Sequence, residues 1–254
     1  MLKVMSKTMD IDSLKKLTNT LLDDALAEIR SERPNSSVGK EKRFRTAEYF
    51  LLEARDYVDG AWEMLVIGNA RASLAISRWT LEAALNLWWV VSNHDETEQR
   101  LTDLVGEALR QDANLLEGLA EMRPDQAHAL KQSANKARQV RDELGSLELA
   151  SLEKRIKDTK PPDKPDWPNL YVHYRVCCAA AHPGLKVWER FKTVGQATVS
   201  TEPSDNTILT SDMATWMAAA SALYLVSFAC CLAKTGNAEK LKEWWNVKVA
   251  PLLG

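Results

Sequence analysis

From Met213 to Ala233 the chain reads "MATWMAAASALYLVSFACCLA", twenty-one consecutive residues without a charge. Such a segment either crosses a bilayer or forms the central helix of a helical protein, covered on every side by other elements. Much of it is alanine and serine, which gain little from lipid. The reading is a buried central helix and no membrane span. The rest of the chain must then supply enough amphipathic helices to cover it.

It does. Glycine and proline are scarce, 10 and 9 of 254 residues, and helix formers dominate. Residues 10–31 repeat apolar positions at Leu14, Leu17, Leu21, Leu22, Ala25 and Ile29, the spacing of one helix face. "SERPNSSVGK" is a polar linker, and residues 42–67 place Phe50, Leu51, Ala54, Val58, Ala61 and Leu65 on the apolar side of a second helix. Gly68-Asn69 ends that helix and offers an N-cap to the next, "ARASLAISRWTLEAALNLWWVVSN", which is apolar on most faces. Residues 95–122 read as one or two amphipathic helices. Residues 125–157 read as a charged helix or hairpin with a break near Gly145, followed by the Pro-rich "KDTKPPDKPDWPN".

A helix opened by Asn169 and closed by Pro183-Gly184 comes next, and residues 192–208 are turn-rich and expected to be a loop. With no strand pattern and no repeat, the class is all-α, a multi-helix antiparallel bundle. It is expected as one domain over 1–254: an N-terminal helix and linker (10–35), a helical core (42–235) and a C-terminal helix (236–254).

Several function classes drop out. With 33 Lys plus Arg against 35 Asp plus Glu there is no global pull toward nucleic acid or anionic lipid, so such a partner needs a local patch. The start of the chain has no apolar signal core. The four cysteines form two adjacent pairs, Cys177-Cys178 and Cys230-Cys231, without zinc-ligand spacing, and read as small buried thiols in a reducing cytoplasm. Phosphate-binding loops, nucleophile elbows and paired Glu-x-x-His motifs are absent, so neither cofactor nor metal is expected.

Chemistry has one foothold, "YVHYRVCCAAAHPG" at 171–184. Arg175 and His182 are seven residues apart, so in a helix they share a face at a separation of about 10 Å. Tyr171 and Cys178 lie on the same stripe. An unpaired charge on so apolar a helix is costly, and Arg78, Glu82 and Asn86 at helical spacing on the third helix are the candidate partners. Glu82 pairing with Arg175 or with Arg78 gives a structural ion pair. His182, just before Pro183, equally suits a helix end, where the dipole favours an imidazolium. The same two side chains also suit metal-free RNA cleavage. The ribose 2′-hydroxyl attacks the adjacent phosphorus, histidine moves a proton, and arginine stabilises the charged phosphorane.

Arg175, "VCCAAA" and then His182, late in a helical bundle, resembles the HEPN superfamily (higher eukaryotes and prokaryotes nucleotide-binding). That resemblance implies a HEPN-like core and a metal-independent RNase of a toxin–antitoxin or antiphage-defence system, acting as a homodimer. Val176 departs from the polar residue usual after the arginine. "SLAISRWTLEAALNLWWV" followed by the 171–184 stretch is also similar to a bacterial helical family of unknown function, matched at Arg78, Glu82, Tyr171 or Tyr174, His182 and Pro183.

Two readings follow. In the first, Arg175 and His182 cut RNA at a dimer axis, flanked by basic residues of "GKEKRFR" (39–45) or "KARQVR" (136–141). In the second, the chain is a non-catalytic module that binds a protein partner or senses a ligand. The adjacent pairs Trp88-Trp89 and Trp244-Trp245 each face two directions, which would leave an exposed tryptophan as an interface anchor.

Overall fold

The computed structural model describes residues 10–32, 38–159, 170–181 and 206–234. These form eight α-helices: α1 (Ile11–Glu32), α2 (Val38–Val66), α3 (Ala70–Val91), α4 (Thr97–Met122), α5 (Ala127–Leu144), α6 (Leu152–Asp158), α7 (Leu170–Ala181) and α8 (Asn206–Lys234). A single 3-10 turn, His94–Glu96, joins α3 to α4. The protein is an all-α bundle, with no strand among the described residues.

The uncharged segment lies inside α8. It is long and apolar enough to cross a membrane, and its apolar window is 94% buried within the bundle. Helices α1, α2 and α3 pack against it, α3 most extensively. Small side chains make that approach close: Ala214, Ala218, Ala219, Ala222 and Ala229 on α8 are buried, as are Ser73, Ser77 and Ala84 on α3. Cys177 and Cys230 are buried here too, and burial in apolar surroundings pushes each thiol up to about 12, so neither is a nucleophile near neutral pH.

Local signals set the helix boundaries. Gly68 takes φ +78°, and Asn69 Oδ1 accepts the backbone N–H of Ala72 at 3.1 Å, which caps α3 as its sequence suggests. Gly145 takes φ +64° in the left-handed region, and α5 ends there.

Of the one or two helices expected over residues 95–122, the structure forms one, Thr97–Met122. Two expectations need correction. Helix α8 starts at Asn206, so the end of the 192–208 stretch is helical. Trp88 and Trp89 are both buried, each 9% exposed. Being covered on several sides, α3 can bury neighbouring side chains that diverge: Trp88 meets Phe228 of α8 at 5.3 Å, and Trp89 lies between the guanidiniums of Arg100 (5.1 Å) and Arg155 (5.4 Å). Trp244-Trp245 and the expected helix at 236–254 lie outside the described residues.

Helices α4 and α5 form an antiparallel hairpin, and the chain beyond it folds back over Gly106. A Cβ at position 106 would collide with both the Cβ and Oγ of Ser146. Asp103, buried one turn earlier, accepts the backbone N–H of Leu147 at 2.8 Å and holds that segment down. Gly106→Ala should therefore destabilise by about 1–3 kcal/mol despite alanine's better helix propensity. Urea unfolding checks this, with Gly118→Ala as the control at a helical site where nothing lies within 4 Å of the added Cβ.

Candidate functional site

Helix α7 packs along α3, and this pairing places the residues singled out from sequence. Cys177 turns to the core and is fully buried, which turns Arg175, some 200° around the helix, to the exposed side. Of the two pairings open to Glu82, the structure forms the one with Arg78, at 3.9 Å. The second partner of Glu82 is the Tyr174 hydroxyl, which donates to Oε2 at 3.4 Å. Arg78 also lies over the rings of Trp79 (5.3 Å) and Tyr174 (5.8 Å). Burial, a hydrogen bond with Cys178 and the nearby Glu82 carboxylate push the Tyr174 phenol up to about 12, so near neutral pH it keeps the proton that it donates to Glu82.

Asn86 takes a different partner from the one expected. Its Oδ1 accepts from Arg155 Nη1 at 2.6 Å, and Arg155 Nε donates to the Ala150 carbonyl at 2.9 Å. Arg155 is only 7% exposed, and burial pulls its guanidinium below the ordinary arginine range, opposed by the charges of Glu82 and Glu107. Tyr171 belongs to α7, while His182 lies just past its last residue and outside the described residues.

Three basic side chains of the two runs form ion pairs. Arg43 meets Glu98 at 3.4 Å, Arg45 meets Glu41 at 2.6 Å, and Arg138 is bonded to Glu117. The second run is carried on α5, which packs on α4, whereas Arg175 rides on α7 against α3. No group of three or more metal-ligating side chains occurs among the described residues.

A cavity of about 520 Å³ opens between α2, α3, α4 and α6. Tyr49, Phe50, Tyr57 and Trp79 line it, together with Glu53, Glu82, Asn86, Glu107, Asp112 and Arg155. Tyr57 and Trp79 are stacked at 6.1 Å and 19°. Tyr49 and Trp79 are more than half and half exposed, 57% and 50%. Sequence reasoning named Glu82 and Asn86 but missed the aromatic wall. The available signal was Tyr49, Glu53 and Tyr57 at four-residue intervals on a face of α2 beside its apolar stripe.

His173, on α7, meets Trp216 of α8 edge-on at 4.5 Å, with its Nδ1 buried and without a hydrogen-bond partner. Burial lowers its pKa. As pH falls through about 6.5 the unfolded chain takes up the proton before the folded one, so stability should fall from pH 7 to pH 5. His173→Phe should flatten that part of the profile, measured as the urea midpoint at each pH.

Comparison of the chain with protein-family models, with curated proteins and with solved structures finds no match in any of the three.

Proposed function

We propose that the protein is a non-catalytic helical module that binds a small ligand in the cavity between α2, α3, α4 and α6. The observation that carries this reading is the cavity itself. It has the size of a small-molecule site, and its aromatic walls open to solvent above a floor of fixed polar groups. The floor is pre-organised, since Arg155 and Asn86 hold each other and Glu82 is held by Arg78 and Tyr174. A ligand would not need to order them.

The test is a thermal-shift screen of a chemically diverse library against wild type and a cavity-filling variant, Ala83→Phe. Compounds that raise the melting temperature of wild type but not of Ala83→Phe support the reading. A library without stabilisers, or stabilisers equally effective on the filled variant, overturns it.

One observation favours a second reading, a HEPN-like metal-independent RNase. Arg175 is exposed on a helix whose next residue is His182, so a substrate or a second copy of the chain has access to it. Labelled RNA incubated in EDTA decides this. Cleavage by wild type, and by neither folded Arg175→Ala nor folded His182→Ala, supports it; intact RNA, or cleavage by either variant, removes it.

A further inference from the structure

The charges around the cavity are unbalanced. It is lined by four carboxylates, Glu53, Glu82, Glu107 and Asp112, and by two guanidiniums, Arg110 and Arg155, a formal excess of two negative charges. Both cations are already committed. Arg110 forks onto Glu107 at 2.8 and 2.6 Å, and Arg155 is held by Asn86 and the Ala150 carbonyl. Glu53 and Asp112 are exposed at the mouth and form no ion pair with a described residue. Their negative charges converge on Tyr49, whose phenol is pushed up by burial and by both carboxylates.

Aromatic rings add to this field. A ring face attracts a cation through its quadrupole, by about 0.5–1 kcal/mol at exposed sites and more once the cation is desolvated. The wall already shows the preference: Arg78 lies 5.3 Å from the Trp79 ring centre, just outside the cavity. An anion entering would meet Glu53 and Asp112 at the mouth and Glu82 within, with no uncommitted guanidinium to receive it. A neutral ligand would leave Glu53 and Asp112 uncompensated.

We infer that the cavity selects a small organic cation, an alkylated or aromatic amine whose charged head lies between Glu53, Asp112 and Glu82 and whose apolar body lies against Tyr49, Tyr57 and Trp79. This rests on the cavity being a ligand site and adds the chemical class of the ligand.

The probe is benzyltrimethylammonium, titrated into the full chain by calorimetry. Its uncharged carbon isostere, neopentylbenzene, and the anion benzoate are compared by ligand-observed NMR. The cation should bind about tenfold more tightly than the isostere. Raising NaCl to about 0.5 M should weaken only the cation. The double variant Glu53→Gln/Asp112→Asn should lower cation affinity about fivefold and leave the isostere unchanged; both positions are exposed, and circular dichroism verifies the fold.

Isostere or benzoate binding as tightly as the cation overturns the charge preference and leaves the cavity reading standing. No binding of the cation overturns the inference, and the library screen on Ala83→Phe then decides the cavity reading separately. Cation binding that survives the double variant and high salt unchanged places the cation elsewhere and also overturns the inference.

Discussion

Trp62→Ala should lower the unfolding free energy by about 3–5 kcal/mol, the usual cost of emptying a fully buried aromatic site. Trp62 is 0% exposed and heads the largest fully buried side chains. It also ties α2 to α1: its Nε1 donates to Thr18 Oγ1 at 3.0 Å, and that hydroxyl in turn donates to the carbonyls of Leu14 and Lys15, each at 3.0 Å. The truncation removes ring contacts and the only side-chain hydrogen bond of the indole together. Against a typical total of about 5–15 kcal/mol this is a large fraction, and the melting temperature should fall by roughly 10 °C. Two further variants divide the effect. Thr18→Val leaves the indole N–H buried and unpaired, at about 1–3 kcal/mol, while Trp62→Phe keeps most of the ring contact. Urea unfolding of the double variant Trp62→Phe/Thr18→Val should show a loss smaller than the two singles combined, because one hydrogen bond is counted twice.

Arg155→Ala should cost about 1–3 kcal/mol and alter the cavity floor at the same time. The guanidinium fastens α6 to α3 through Asn86, holds the Ala150 carbonyl and covers one face of Trp89. Its loss leaves the Asn86 amide oxygen without that donor in a half-buried site. The companion variant Asn86→Leu/Arg155→Met removes both polar partners and restores apolar volume, so it should recover part of the stability. Denaturant unfolding of both variants checks the ranking. A single variant no worse than the double would show that Arg155 contributes packing alone.

The helices were legible because apolar spacing, an N-cap at Asn69 and glycines at 68 and 145 all act within a few residues of chain. What depended on neighbours was not. Trp88 and Trp89 point in different directions, and only knowledge of how many helices surround α3 says whether both are covered. Arg175 looked buried because its helix is apolar, yet the rotation of α7 that buries Cys177 carries it to solvent. The cavity was least legible of all. Its lining comes from four helices and the segment before α6, with Tyr49 and Arg155 more than a hundred residues apart in sequence, and no local pattern links them. Arg155 came from a charged stretch with nothing to mark it as the arginine that would be buried.

Helix α8 is the last described helix to leave a ribosome, yet it fills the space between α1, α2 and α3. Until it arrives, those three helices pack on one another but lack the cover that α8 supplies. Lys234, at its end, pairs with Glu28 across a separation of 206 residues. The nascent chain therefore carries an open, apolar half-core until α8 emerges, and closure waits on a long-range contact, the circumstance in which folding slows and chaperone capture competes with it.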